Sequence, residues 1–187
     1  MAVPVKRAHN RRMPFDATTW ERVFARLAEE LPGTEERHVT LIGGVAMALG
    51  YGSRRTTADA DAIEVRQDVS DAADRIADEF GLPKGWLNQR ATDAGFLVHP
   101  DADHPVRRWP KLVLSVPSAE RMLAMKLARF AGDVDTEDAK TLLPKLRAQY
   151  CDVEMAWDVI GGFVPVAERA KARYYLLGLW EELDEPA

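Results

Sequence analysis

The spacing of apolar residues changes at Pro117-Ser118 and divides the chain into two kinds of structure. Before this point, short β-branched runs alternate with segments of helical spacing, a pattern typical of mixed α/β folds. After it, the apolar residues keep a helical period to the end of the chain. The sequence therefore predicts an α+β protein, in which a small mixed sheet with flanking helices, residues 16–116, precedes a helical bundle, residues 117–187.

The individual elements are predicted from the period of the apolar residues and from the turn residues between them. Strands are expected at four places: 38–42, 59–65, 96–99 and 112–116. Helices are expected at seven places: 16–30, 45–49, 68–80, 118–131, 136–149, 153–160 and 166–183. Asp16 is suited to cap the first helix through the free backbone N–H groups of its first turn. Apart from 96–99, the stretch from Lys84 to Pro110 keeps no single period and predicts no further helix or strand.

Composition excludes several classes of protein. The chain has 187 residues and a single cysteine, Cys151, so neither an internal disulfide framework nor a thiolate zinc cluster can form. A reducing compartment fits this cysteine usage. No apolar run approaches the roughly 20 residues needed to cross a bilayer, and the first residues lack the apolar core of a secretory signal. We therefore expect a cytoplasmic protein with no membrane partner.

Charge is distributed unevenly along the chain. The net charge is −5, yet four basic residues give the first fifteen positions a charge of +4: Lys6, Arg7, Arg11 and Arg12. The remaining chain has 21 basic against 30 acidic residues and should not bind nucleic acid through charge alone. Residues 1–15 are interpreted as a basic, mobile arm, and phosphate contact by this arm stays an alternative.

Two carboxylates, Asp59 and Asp61, are separated by one residue in a predicted strand. The two-residue period of a strand places both on one face, with Cα atoms about 6.5 Å apart. Mg²⁺ takes oxygen ligands, and proteins commonly hold it with one or two carboxylates together with the phosphates of a nucleotide. Bound there, the ion would neutralise charge while a phosphoryl or nucleotidyl group moves. The pair is therefore a candidate metal site.

A glycine pair, Gly43-Gly44, ends the first predicted strand and begins a helix. Without Cβ atoms this backbone can approach a phosphate, and the N–H groups at the helix start point at the anion. Arg55 and Thr57 precede the carboxylates and are suited to bind further phosphate oxygens. A glycine pair alone is usually a tight turn. The order of strand, glycine pair, helix and carboxylate strand within 21 residues is what indicates a nucleotide site.

Lys126 falls on the apolar stripe of its predicted helix, beside Met122, Leu123 and Phe130. A buried ammonium needs an anion, so either a structural ion pair or a phosphate contact would satisfy it. Two acids follow on the next predicted helix. Asp135 is placed to cap that helix and Asp138 to lie in its first turn, where a carboxylate favours the positive helix end.

These blocks resemble the polymerase-β-like nucleotidyltransferase superfamily, and within it the toxin-type branch that includes the AbiEii and MenT toxins. The resemblance spans about residues 37 to 145 and is carried by Gly43-Gly44, Arg55-x-Thr57-x-Asp59-x-Asp61, the helical segment Met122–Leu127 that contains Lys126, and Asp135-Thr-Glu-Asp138. It implies a Mg²⁺ site at Asp59 and Asp61 and a place for Lys126 near the nucleotide phosphates. It also implies that Asp138 is an active-site partner, with Asp135 as the second choice.

The function implied by the resemblance is transfer of a nucleoside monophosphate (NMP) from a nucleoside triphosphate (NTP) to a hydroxyl. The acceptor would be a tRNA 3′ end or a protein, and the chain would be a toxin with a cognate antitoxin. One alternative keeps the reaction and uses a small acceptor such as an aminoglycoside. Another is a non-catalytic module that binds a nucleotide or a partner. Many superfamily members have a third carboxylate, but Leu112–Val116 offers none, and Asp101 and Asp103 fall in an expected loop.

Overall fold

The computed structural model describes residues 15–54, 56–90, 99, 102–129 and 132–183. Within these ranges the chain is α+β, as predicted, with seven α-helices and one five-stranded mixed sheet. Arg55, Phe130, Asp101 and the first fourteen residues of the predicted arm lie outside the described residues, as does the predicted strand 96–99 except for His99. No helix in the described part of the chain is long and apolar enough to cross a membrane.

The helices and strands are numbered in chain order. The α-helices are α1 Ala17–Glu30, α2 Gly43–Tyr51, α3 Gln67–Ile76, α4 Ala119–Arg129, α5 Asp133–Gln149, α6 Val153–Phe163 and α7 Arg169–Glu182. Two short 3₁₀ segments are Ala77–Phe80 and Val166–Glu168. The strands are β1 Arg37–Ile42, β2 Ala60–Ile63, β3 Leu87–Asn88, β4 Asp103–Trp109 and β5 Leu112–Pro117.

The sheet has the order β3-β2-β1-β5-β4, so β1 lies in its centre. β1 runs antiparallel to β2 and parallel to β5, and β4 and β5 form an antiparallel hairpin. The register places Ile42, the last residue of β1, opposite Asp61 of β2. The end of β1 and the carboxylate strand therefore meet at one corner of the sheet.

The first helix has the cap that the sequence predicts. The Asp16 side chain accepts a hydrogen bond from the Thr19 backbone N–H at 2.8 Å. One face of α1 is fully buried, including Trp20, whose ring centroid lies 5.5 Å from that of Trp86. An N-cap acceptor and an apolar stripe are local signals, which is why this helix could be predicted from the sequence alone.

Three local predictions are corrected by the structure. Strand 59–65 is shorter than predicted, because Asp59 lies in a bend before β2 and Glu64 has a positive φ of 54° after it. β4 was not predicted, and Asp103 begins this strand instead of lying in a loop. Its large apolar residues, Val106 and Trp109, are three positions apart, so the sequence shows no two-residue apolar period there. Pairing with β5 defines the strand.

The third correction concerns α5, which begins three residues earlier than predicted, with Gly132 as its N-cap residue. The predicted N-cap role of Asp135 is therefore wrong. Asp135 lies in the first helical turn and Asp138 one turn further on, where both side chains are buried. These two carboxylates consequently face the interior of the protein instead of the helix end.

The helical part packs against the sheet through a shared core. One continuous cluster of buried residues includes Trp20 of α1, Val39 of β1, Leu123 of α4 and Leu176 of α7. α4 is the most enclosed helix of this cluster, with eight consecutive buried residues from Glu120 to Leu127. The predicted division at residue 117 stays a prediction, and the core on both sides of it is continuous.

Candidate functional site

The glycine that begins α2 lies directly against a carboxylate. Gly43 has φ +64°, a left-handed conformation that favours glycine. A Cβ at this position would lie 3.0 Å from Oδ2 of Asp61. Glycine is therefore required here by backbone conformation and by space. The Asp61 carboxylate consequently lies beside the backbone at the start of α2, in space that a side chain at position 43 would need.

Gly44 makes a similar close approach to Thr57. A Cβ on Gly44 would lie 3.1 Å from Cβ of Thr57. The Thr57 hydroxyl donates to the backbone carbonyl of Asp59 at 3.1 Å, and its oxygen lies 3.3 Å from Oδ1 of the same residue. Thr57 thus joins the glycine pair to Asp59. We call the group formed by these two glycines, Thr57, Asp59 and Asp61 the glycine corner.

The glycine corner offers both kinds of group that a nucleotide–metal complex needs. The N-cap residue of α2 is Ile42, whose apolar side chain cannot accept a hydrogen bond from the first-turn N–H groups. Helix-start N–H groups left in this way are suited to bind an anion. The partly exposed Asp61 carboxylate forms no hydrogen bond or ion pair with another described residue. A donor for phosphate and an acceptor for a cation are therefore adjacent.

The carboxylates of the glycine corner that could hold a cation are Asp61 of β2 and Asp59 in the bend before this strand. Among the described residues, no group of three or more His, Cys, Asp or Glu side chains is arranged to hold a metal ion. Mg²⁺ commonly takes one or two carboxylates and completes its octahedron with water and substrate phosphates. Asp59 and Asp61 would be the two ligands, and phosphate oxygens bound at the start of α2 would supply others.

Asp103 is not available as a third carboxylate. Its side chain is 4% exposed and forms an ion pair with the buried Arg121 of α4. It also accepts a hydrogen bond from the His99 backbone N–H at 3.0 Å. These contacts commit Asp103 to holding the start of β4 against α4.

Lys126 lies between two carboxylates of the neighbouring helix. Its Nζ atom is 2.5 Å from Oδ2 of Asp138 and 3.3 Å from Oδ1 of Asp135. The Asp138 side chain is 2% exposed, and the other two are each 11% exposed. We call these three residues the Lys126 triad. Of the two alternatives for Lys126, the ion pair is the one that the structure contains, and it joins α4 to α5.

The Lys126 triad and the glycine corner are connected through α4. Met125, next to Lys126 in the chain, is buried in a cluster with Ile42 and Ile63. Ile42 pairs with Asp61 across the sheet, and Ile63 follows Asp61 by two residues on the same face of β2. α4 therefore packs on the part of the sheet that presents Asp61.

A cleft of ≈ 570 Å³ lies beside the triad, between the loop Gly52–Arg54 and the first turns of α5. Its lining includes Asp138 and Arg54 but not the glycine corner. Arg54 is not among the site residues that the motifs select, although it forms a basic pair with Arg55 in the sequence. The loop that lines this cleft leads on to Thr57, so one connection joins the cleft to the glycine corner.

Comparison with known proteins gives no family assignment, because the chain matched no protein-family model, no curated protein and no solved structure. The chemistry of the glycine corner and of the Lys126 triad is therefore the structural basis for a proposal of function.

Proposed function

We propose that this protein is a Mg²⁺-dependent nucleotidyltransferase, which moves an NMP from an NTP to the hydroxyl of an acceptor. The observation that supports this most strongly is the position of the Asp61 carboxylate against the glycine start of α2. A triphosphate bound by the N–H groups of that helix would bring its oxygens beside Asp61. The resemblance of the sequence blocks to the toxin-type nucleotidyltransferases supports the same function.

In this proposal each residue of the glycine corner has a defined task. Asp59 and Asp61 hold the ion, and the Thr57 hydroxyl positions Asp59 by donating to its backbone carbonyl at 3.1 Å. The backbone of Gly43 and Gly44 binds the triphosphate, and Arg55 binds further phosphate oxygens. Bound Mg²⁺ supplies charge neutralisation at the phosphates. The acceptor oxygen forms a bond to the α-phosphorus and loses its proton to water, while the bond between the α-phosphorus and the pyrophosphate leaving group breaks.

The Lys126 triad has a supporting task in this proposal. Lys126 carries one positive charge against two carboxylates, so the triad as a whole is acidic. Contact with a phosphate would require Lys126 to exchange Asp135, at 3.3 Å, for the nucleotide, while Asp138, at 2.5 Å, continues to orient the ammonium. The longer contact is the weaker of the two and is the one that a stronger anion would replace.

The acceptor and the biological role are proposed from the resemblance alone. We propose a tRNA 3′ end or a protein hydroxyl as acceptor, a cytoplasmic site of action, and a cognate antitoxin as partner. Expression of the wild-type chain should then arrest growth, and expression of the Asp61→Ala variant should not.

The experiment that tests the reaction is transfer of label from each α-labelled NTP, with Mg²⁺, to total RNA and total protein. Asp61→Asn should reduce transfer by at least about 100-fold, since it removes the charge of one metal ligand with little change in shape. Asp71→Asn is the matched control, because Asp71 is an exposed carboxylate on α3 whose side chain accepts a hydrogen bond from Gln67. Transfer that survives Asp61→Asn would exclude the proposed site.

A second candidate, a non-catalytic nucleotide-binding module, is favoured by one observation. The described residues contain no group of three metal-ligating side chains, whereas many nucleotidyltransferases have a third carboxylate. Calorimetry distinguishes the two candidates. Mg²⁺-dependent NTP binding that Asp61→Asn weakens, without transfer to RNA, protein or an aminoglycoside, would favour the module over the enzyme.

A further inference from the structure

One face of α7 is exposed and has a regular pattern. Lys171, Tyr174, Gly178 and Glu181 follow each other at spacings of three, four and three residues, so they form one stripe along the helix. All four are exposed, and Tyr174 is 74% exposed. The opposite face of α7 is buried in the core through Ala172, Leu176, Leu179 and Trp180. The stripe therefore points away from the protein.

Gly178 is not explained by the fold of a single chain. Glycine inside a helix is destabilising relative to alanine, because it has more conformational freedom to lose on folding. A Cβ on Gly178 would meet no atom within 4 Å, and its φ is not in the left-handed region. Neither packing nor backbone conformation within the described chain requires glycine here. Glycine would be required if another molecule packed against this face of α7 so closely that no Cβ could fit between them.

The open side of Gly178 continues into a groove. This groove, of ≈ 550 Å³, lies between α7 and the start of α5 at Thr136, and Tyr174, Tyr175 and Leu177 contribute to its wall. Its wall is aromatic and aliphatic near Gly178 and acidic at Glu181 and Glu182. An aromatic ring that entered the groove beside Gly178 would find space, and a basic group at its far end would find a carboxylate.

The stripe itself contains an aromatic ring, that of Tyr174, and a basic group, that of Lys171. In an antiparallel second copy these two groups would run along the groove in the required order. We propose that a second copy of this chain docks on α7, with the two α7 helices antiparallel and crossing at the level of Leu176. In that arrangement Tyr174 lies over Gly178 of the second copy, and Lys171 faces Glu181 of the second copy. Both pairs have the same midpoint in the sequence, residue 176. The two-fold symmetry of a homodimer then makes each contact twice.

The charges of the stripe are available for these contacts. Glu181 forms no ion pair with another described residue. Lys171 bonds Glu168 at 2.8 Å, but both side chains are more than 40% exposed and can add a second partner. Helices pack at 8–10 Å, and a glycine in the contact permits the shorter separations. An interface centred on one helix buries an area at the small end of the range for protein–protein contacts, so we expect a weak dimer with a dissociation constant on the order of 10–100 µM.

The test measures mass by sedimentation or light scattering between about 1 µM and 1 mM, a range that brackets such a dissociation constant. The wild-type chain should pass from monomer to dimer in this range. Lys171→Glu and Glu181→Lys should each weaken the dimer by at least about tenfold, because each places like charges in both symmetric contacts. An equimolar mixture of the two variants should dimerise again, since the mixed dimer has opposite charges in both contacts.

Gly178→Leu should also abolish the dimer. Its matched control is Gly162→Leu in α6, because a Cβ on Gly162 likewise meets no atom within 4 Å but lies off the stripe. Thermal unfolding should show that both leucine variants fold. A chain that stays monomeric throughout, a dimer that neither charge reversal weakens, or a mixture that fails to dimerise would each overturn the proposal. None of these results depends on the proposed function.

Discussion

Replacement of Lys126 by methionine tests how strongly the triad holds α4 against α5. The Lys126 ammonium contacts Asp138 at 2.5 Å and Asp135 at 3.3 Å, and all three side chains are at least 89% buried. At an effective dielectric constant of about 20, each contact represents roughly 5–7 kcal/mol of Coulomb attraction before desolvation is subtracted. Methionine keeps the length of the side chain and removes the positive charge that both buried carboxylates contact.

We expect Lys126→Met to lower the free energy of unfolding by about 3–5 kcal/mol, the cost of removing one partner from a buried ion pair. For a chain of this size the midpoint of thermal unfolding should fall by about 6–20 °C. Urea unfolding followed by circular dichroism gives the free energy, and an unchanged denaturant slope would show that the unfolded states are comparable.

Two controls separate the triad from a general effect of losing a lysine. Lys140→Met removes an exposed lysine, whose partner Glu182 is also exposed, and should cost less than about 1 kcal/mol. The triple variant Lys126→Met with Asp135→Asn and Asp138→Asn also removes the two carboxylate charges that Lys126 contacts, and it should recover most of the loss. If Lys126→Met were as stable as the wild type, the buried ion pairs of Lys126 would make no net contribution to the free energy of unfolding. If the triple variant recovered nothing, charge would not be the cause.

Three further predictions concern the cap of α1, the glycine corner and the acid end of the stability profile. Asp16→Ala removes the N-cap acceptor of α1 and should cost about 1 kcal/mol in urea unfolding, whereas Asp16→Ser should retain most of the stability. Gly43→Ala should cost about 2 kcal/mol and abolish Mg²⁺-dependent NTP binding in calorimetry, because it combines a left-handed φ with a contact of 3.0 Å to Asp61. The control Gly52→Ala has the same kind of backbone strain, at φ +71°, without a contact to Asp61. If both variants lost the same amount of stability and of NTP binding, the contact with Asp61 would not be the cause. Although burial raises it, the pKa of Asp68 is held below its usual value by hydrogen bonding from Arg37 and by the charge of Arg66. This contribution to stability is present above the ordinary aspartate pKa of about 4 and is lost as the pH falls through the lower folded-state value. Asp68→Asn should therefore flatten the loss of stability below about pH 4, and a profile identical to that of the wild type would contradict the assignment.

The elements that could be predicted from the sequence are those defined by local signals. α1 has an apolar stripe and its own cap residue, and β1 is a short β-branched run that ends at a glycine pair. Such signals act within a few residues and do not depend on what packs against them. Asp59, Asp61 and the glycine pair could be selected in the same way, because their order along the chain is itself the pattern. Their function stays a prediction.

The contacts between distant segments could not be predicted, because they depend on pairing and packing that no local pattern encodes. β4 exists as a strand through its pairing with β5, and its own residues show no apolar face. The sequence determined that Lys126 needs an anion, but the packing of α5 against α4 decided that Asp135 and Asp138 supply it. Likewise, the sequence placed a glycine pair after β1, and only the register of β1 with β2 placed the Asp61 carboxylate against Gly43. A chemical need is a property of one residue and its neighbours, whereas the group that meets it is fixed by the geometry of the whole chain.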